Sequence, residues 1–345
     1  MSTASTIHDS SNSHPAYALV PILGGTALIL GGAAILIVDR WDLLQDALAP
    51  RPIMARHTSQ ATYDLHKRPH WIFVGTMVVF VPCLLVTARW QNELLAQLDD
   101  AKDHEDLQNQ ILLQSALCCV GGFLVAASPM GNILGTILHS LFAAMFATFG
   151  TMYSFQCYWV ADVIGLDELA TARLALGAIG FLGAFVTIFS IYPGVAATEA
   201  LQKHQLAILK KENLTNDSNE QETMSSPEGE AVENTDHPSQ EEEAAKENYK
   251  VLTDRELMWA RLGESSLAIG QISIAISIGS VLLSASAEVT KVESSPDEAW
   301  QSALLALAIM AGLGTFFFLG NEWFYNTCQK QNDVSASSGD VDDNE

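Results

Sequence analysis

Charged side chains are scarce along most of this chain. Of its 345 residues, 17 are Lys or Arg and 40 are Asp or Glu, which gives a formal net charge of −23. The stretch Leu107–Ala161 contains no Asp, Glu, Lys or Arg over 55 residues. A helix crosses a bilayer core with about 20 apolar residues, so this run is long enough for two crossings. An ordinary soluble globular domain is therefore excluded.

Chemistry within the membrane usually needs ionisable side chains, and these are also scarce. No Asp, Glu, Lys or Arg lies near the middle of any apolar stretch, which excludes a retinal Schiff base and argues against ion relays through buried carboxylates. A zinc hydrolase needs several converging ligands, whereas only His139 lies inside a span. The five cysteines form no extracellular disulfide framework. We therefore expect a non-enzymatic protein with no catalytic residue, cofactor or metal site.

The excess of acids is confined to two segments. Glu212–Tyr249 contains 12 acids and one Lys, a net charge of −11, and Gln331–Glu345 contains five acids and no base, a net charge of −5. Together they carry −16 of the total −23. Glu212–Tyr249 also has almost no large apolar residue, so it cannot bury enough surface to offset its ordering entropy. We expect it to be disordered.

Seven apolar stretches are each long enough to form a membrane-spanning helix. They are Tyr17–Val38, Trp71–Ala88, Ile111–Ala127, Ile133–Val160, Leu174–Ile191, Ser265–Ala287 and Ala299–Asn321. Ser128–Asn132, which contains Pro and Gly, is the expected turn between the third and fourth. Backbone groups have no water partners in lipid, so the spans are predicted to be helices. The predicted fold is an all-α polytopic membrane helix bundle of about seven transmembrane helices.

Basic residues are distributed unevenly between the two sides that seven spans define. The 17 Lys and Arg residues divide 13 to 4, and Arg40–His70 alone contains five. Because cytosolic loops carry the excess of Lys and Arg, we expect the N-terminus outside or in a lumen and the C-terminus in the cytosol. The predicted organisation is a tail (1–16), a five-span region (17–192), a cytosolic loop (193–264) containing the acidic segment 212–249, a two-span region (265–321) and an acidic disordered tail (322–345).

Two intramembrane features are candidate sites. His139 either contacts a ligand or responds to protons, or it makes a neutral hydrogen bond between helices. The sixth span carries small residues at alternating spacings of 4 and 3: Ser266, Gly270, Ser273, Ser277, Ser280 and Ser284. Such a seam predicts either close helix packing or the lining of a polar cavity. Gln271 lies off the seam and needs a partner of its own.

The acidic loop carries candidate phosphorylation sites at Ser225, Ser226 and Ser239, each close to Pro or acidic residues. The loop is either a regulatory segment for cytosolic protein partners or a solvated acidic linker. On its C-terminal flank, Thr253 and Glu256 have the spacing of a capping box, which predicts a helix leading into the sixth span.

Two short motifs resemble a known family. Arg68-Pro69-His70-Trp71-Ile72-Phe73 opens the second span, and Ala126-Ala127-Ser128-Pro129-Met130 precedes Leu138-His139-Ser140-Leu141-Phe142-Ala143-Ala144. The damage-regulated autophagy modulator superfamily is similar, since there a span ends in a short turn and a Leu-His pair begins the next. The similarity covers roughly residues 55–190, although that family usually has six spans. The resemblance implies an endomembrane protein that affects lipid organisation or trafficking without known catalysis, and it carries over His139 as a site candidate.

The leading hypothesis is a non-enzymatic multi-pass protein of an endomembrane or the plasma membrane. Its expected partners are membrane lipids and cytosolic proteins that bind the acidic loop, and no nucleic acid is expected. One alternative is a transporter or channel for an uncharged or lipidic solute, with the seam of the sixth span facing the path. The other alternative is a seven-helix receptor.

Overall fold

The structure is all-helical. The computed structural model describes residues 15–45, 68–98, 101–128, 133–224, 251–290 and 296–338. The seven long helices are α1 (Leu19–Gln45), α2 (Arg68–Ala96), α3 (Glu105–Ala127), α4 (Ile133–Val163), α5 (Asp167–Met224), α6 (Asp254–Ser284) and α7 (Pro296–Ser338). The short helical elements are Pro15–Ala18, Ala101–His104 and Ser286–Val289. No strand occurs in these ranges.

Seven of these helical segments are long and apolar enough to cross a bilayer, which confirms the predicted span count. The chain is a multi-pass membrane protein. With an odd number of crossings, the first helix begins at the end of the bundle opposite to the one where the last helix finishes. The end at which α1 begins is called the amino end below, and the end at which α7 finishes is called the carboxyl end.

Two helices continue farther than the apolar pattern indicates. Helix α5 runs through Pro193 to Met224 instead of ending near residue 191, and α7 runs to Ser338. The bounds of these helices include residues 212–224 and 322–338, which belong to the segments where the sequence predicts disorder. Helix α5 stops shortly before Pro227 and α7 stops immediately before Gly339, residue types that commonly end helices.

The start of α6 has the predicted capping box. The Thr253 hydroxyl accepts a hydrogen bond from the Glu256 backbone N–H at 3.4 Å, and the Glu256 carboxylate accepts one from the Thr253 N–H at 2.9 Å. Beyond the spans, α6 stays paired with α5, because Ala260 packs against Ala197 and Leu201. The two helices thus form one continuous antiparallel pair at the carboxyl end.

The first six helices form a ring in chain order. Each packs against the next, α6 returns to α1, and α7 packs outside the ring on α2 and α3. Helices α1 and α6 cross closely at two glycines, since a methyl group on Gly25 would lie 2.4 Å from the Gly279 carbonyl oxygen. In the amino half, α4 reaches α6 through the centre of the ring, with Gly150 against Ile278. The ring is therefore filled in its amino half.

Candidate functional site

A cavity of about 250 Å³ lies in the carboxyl half of the ring. All six ring helices contribute to its wall, and α7 does not. The main contributions are Leu28–Leu36 on α1, Phe73–Met77 on α2, Gly122 and Val125 on α3, Ala143–Ala147 on α4, Thr187 on α5 and Gln271–Ile276 on α6. The cavity is therefore central to the bundle rather than a surface groove.

The cavity wall is almost entirely apolar. Thr76, Thr187 and Gln271 are its polar residues. The hydroxyls of both threonines donate to carbonyl oxygens of their own helices at 2.8 Å, so these residues are already satisfied. An apolar engineered cavity of about 150 Å³ stays dry and binds benzene. A larger cavity of the same chemistry is suited to an apolar molecule or a hydrocarbon chain.

The cavity opens sideways between α1 and α6. Two residues of its wall, Ala33 and Ile276, are also exposed on the outside of the bundle, and Ile276 is 43% exposed. A methyl group on Gly32 would meet no atom within 4 Å. Because the outside of a membrane bundle at this depth is lipid, the opening connects the cavity to hydrocarbon rather than to water.

A layer of polar residues lies directly beneath the cavity. Three residues of the wall each have a polar residue one helical turn closer to the carboxyl end: His70 below Phe73, Ser128 below Val125 and His139 below Ala143. All three polar residues are buried. We call them the polar layer, and the predicted site residue His139 is one of them.

Within the polar layer, His139 contacts the end of α3. Its Nδ1 lies 2.9 Å from the Ser128 backbone oxygen, which is the interhelical hydrogen bond expected as one alternative. Its Nε2 and the Ser128 Oγ are buried and have no hydrogen-bond partner among the described residues. The layer therefore has unused hydrogen-bonding capacity immediately next to an apolar cavity.

A second buried polar group, near the amino end, centres on an ion pair. The Arg173 guanidinium pairs with the Glu288 carboxylate, and both side chains are 0% exposed. Arg173 also donates from Nε to the Ser284 hydroxyl at 2.8 Å and from Nη1 to the Cys157 carbonyl oxygen at 2.9 Å. Its Nη2 has no partner among the described residues. One arginine thereby connects α4, α5 and α6.

The same ion pair extends to α2 through an amide. Gln91 donates to Glu288 Oε2 at 2.7 Å and accepts from the Tyr153 hydroxyl at 2.9 Å. Gln91 and Tyr153 are almost completely buried. We call the whole group the amino-end network: Gln91, Tyr153, Cys157, Arg173, Ser284 and Glu288. It joins four helices and closes the ring at the end opposite to the polar layer.

The pattern of spans placed Arg173 in a loop, because the apolar stretch begins at Leu174. In the structure α5 begins at Asp167, so Arg173 lies inside the bundle. The sequence does contain a pattern that indicates the partner of Arg173. Glu288 follows Ser284 by four residues and so continues the face of the seam in the sixth span. Since that face packs on α5, Glu288 contacts Arg173, which lies near the start of α5.

The seam of α6 faces α5 and does not face the cavity. Ser277 is 0% exposed and donates to the Leu176 carbonyl oxygen of α5 at 2.7 Å. Ser273 bonds within its own helix, to the Ile269 carbonyl oxygen at 2.8 Å. Ser280 is half-buried. None of these three serines belongs to the cavity wall, whereas Gln271 does.

The remaining predicted positions add no further site. Ser225, Ser226 and Ser239 lie outside the described residues. Within the part of the chain that the structure describes, no group of three His, Cys, Asp or Glu side chains lies close enough together to hold a metal ion.

Comparisons of this chain with protein-family models, with curated proteins and with solved structures find no match.

Proposed function

We propose that this protein is a non-enzymatic membrane protein that binds the hydrocarbon chain of a lipid in its central cavity. Through this binding it affects the organisation or trafficking of membrane lipid. The observation that carries the proposal is an apolar cavity at the centre of the ring that opens to the bilayer between α1 and α6.

A lipid chain suits this cavity for reasons of both route and chemistry. The opening at Ala33 and Ile276 faces hydrocarbon, so a chain enters without crossing water. A charged solute would find no charged side chain in the wall. Transfer from lipid to this wall brings no hydrophobic gain, because both surroundings are apolar, so the affinity must come from close packing and from polar contacts outside the cavity.

Photo-crosslinking tests the proposal. The protein is placed in lipid nanodiscs with a phosphatidylcholine that carries a diazirine on its acyl chain, and labelled peptides are identified by mass spectrometry. We expect labels on cavity-wall residues of α1 and α6. Gly32→Leu directs a side chain into open cavity space. We expect it to reduce this labelling roughly fivefold or more, because the leucine occupies volume that the lipid chain would otherwise fill.

Gly75→Leu is the matched control. Gly75 is also a helical glycine with no atom within 4 Å of an added methyl group, but it is exposed and lies outside the cavity wall. It should leave cavity labelling unchanged. Labelling confined to the outer surface of the bundle, or equal loss in both variants, would contradict the proposal.

Transport of an uncharged or lipidic solute is the second candidate function. It is favoured by one observation: the cavity is central and is closed towards the amino end by the amino-end network, as one state of an alternating path would be. Fluorescent lipid in protein-containing vesicles distinguishes the two functions. Protein-dependent movement of lipid between leaflets supports transport, whereas labelling of the cavity without such movement supports binding alone.

We further propose that the carboxyl end faces the cytosol and that the acidic segment there regulates the protein through cytosolic partners. The 13-to-4 distribution of basic residues supports the orientation. The sequons at Asn213 and Asn216 should then stay unglycosylated, and a glycan on either would reverse the assignment. Deleting residues 213–248 should alter localisation or partner binding, and an unchanged result in both would count against regulation.

A further inference from the structure

The polar layer extends the proposed function, on which this inference rests, because it lies next to the cavity on its carboxyl side. His70, Ser128 and His139 lie one turn below three residues of the cavity wall. A lipid whose chain occupies the cavity and whose polar end points towards the carboxyl end brings that polar end to the layer. The hydrogen-bonding character of these residues therefore determines which lipid head is accepted.

The contact between His139 and Ser128 fixes the tautomer of the histidine. A backbone carbonyl oxygen only accepts hydrogen bonds, so the Nδ1 atom 2.9 Å from it must carry the proton. In the neutral ring Nε2 then presents a lone pair and accepts. His139 is 3% exposed, and this lone pair has no donor among the described residues.

The Ser128 hydroxyl complements that acceptor. Ser128 is 1% exposed, and its Oγ also has no partner among the described residues. A hydroxyl can donate and accept. A ligand O–H group within reach of both atoms would donate to His139 Nε2 and accept from Ser128 Oγ.

We propose that the polar layer binds the free hydroxyl group of a neutral lipid whose chain occupies the cavity. An anionic head is disfavoured because its oxygen lone pairs would face the lone pair of His139 Nε2. The nearest base along α2, Arg68, precedes His70 by two residues and so lies about 200° around the helix. It lines a separate surface pocket with Val38 and Trp71.

Two crosslinking probes with the same diazirine chain test the inference. One is a diacylglycerol, which has a free hydroxyl, and the other is a phosphatidylcholine. In nanodiscs at equal probe content, we expect the wild-type cavity to be labelled roughly fivefold or more strongly by the diacylglycerol, as two added hydrogen bonds predict.

Variants of the polar layer separate ligand binding from a structural role. His139→Asn keeps an amide near the position of Nδ1 and removes the atom at Nε2, whereas His139→Gln places an amide near Nε2. We expect the preference for diacylglycerol to fall to less than twofold in His139→Asn and in Ser128→Ala, and to persist in part in His139→Gln. Ser154→Ala is the control, since this buried hydroxyl bonds to the Gly150 carbonyl oxygen at 3.0 Å.

The outcomes distinguish this inference from the proposed function. If both probes label the wild-type cavity equally, the hydroxyl site is wrong and chain binding stands. If neither probe labels the cavity, both proposals fail. If His139→Asn keeps the full preference, Nε2 is not the acceptor and the inference is overturned. The wild-type comparison needs no variant to fold, so equal labelling there refutes the hydroxyl site by itself.

Discussion

Removing Arg173 should destabilise the bundle strongly. Arg173→Met deletes the cation that faces Glu288, together with the hydrogen bonds to Ser284 and to the Cys157 carbonyl oxygen. Glu288 then keeps only its contact with Gln91 while staying 0% exposed. Breaking one partner of a buried ion pair costs about 3–5 kcal/mol, because the other charge is left buried without compensation.

Removing both charges should cost less than removing either alone. Replacing a buried pair with apolar residues of similar volume is often neutral or better. In this bundle Gln91, Ser284 and the Cys157 carbonyl oxygen would each lose a partner, at about 1 kcal/mol net per hydrogen bond. We therefore expect Arg173→Met with Glu288→Leu to cost about 3 kcal/mol, and the double-mutant cycle to give a coupling of more than about 2 kcal/mol.

Unfolding in mixed micelles by titration with SDS measures these free energies. Arg89→Met is the matched control, because Arg89 pairs with Glu93 at 2.9 Å while their side chains remain 37% and 26% exposed. Such a pair contributes about 0–1 kcal/mol. If Arg173→Met costs no more than Arg89→Met, or if the two single changes are additive, the amino-end network does not hold the helices together.

Three further predictions follow from packing. Gly25→Ala should lower the free energy of unfolding by about 1–3 kcal/mol through overpacking, since its methyl group would lie 2.4 Å from the Gly279 carbonyl oxygen. Gly32→Ala in the same helix should be neutral or stabilising, because its methyl group would meet no atom within 4 Å. SDS unfolding measures both effects. Gly32→Leu should stabilise the protein more than Gly75→Leu, because both changes gain helix propensity and only the first fills the cavity. Equal increases in the free energy of unfolding would contradict the presence of a cavity at Gly32. Four cysteines are buried, so they should react with N-ethylmaleimide only after SDS has unfolded the protein. They are Cys83, Cys118, Cys119 and Cys157.

The span count could be predicted from the sequence because the bilayer imposes it. Lipid requires about 20 apolar residues in each helix, so the number of spans follows from hydropathy and turn residues without knowledge of the packing. The boundary between the third and fourth spans illustrates this, since α3 ends at Ala127 and α4 begins at Ile133, on either side of the predicted turn. The residues at which α5 and α7 end could not be predicted from hydropathy, because a helix can continue beyond the apolar span into water, where its residues need not be apolar.

The cavity and the amino-end network could not be predicted, because both depend on which helices are neighbours. The seam of α6 indicated a close contact without naming the partner. Gly180 and Gly183 of α5 provide the matching surface, where an added methyl group would lie 2.5 Å from Ser277 Oγ and 2.8 Å from the Gly270 carbonyl oxygen. Arg173 also shows the limit of hydropathy, since a charge near the end of a span gives no indication of its burial.

The two halves of the ring differ in a way that bears on function. In the amino half, the network fixes α2, α4, α5 and α6 relative to one another, and the core around Ile278 is closely packed, with Gly150 against Ile278. Helices α1 and α6 cross closely at Gly25 and Gly279, and on the carboxyl side of that crossing the cavity stays open. Close packing is the rule in protein interiors, so an unfilled half forgoes dispersion energy that larger side chains would supply. A ring that is firmly held at one end can keep an open cavity at the other without collapsing onto it, which is the arrangement that reversible binding of a lipid chain requires.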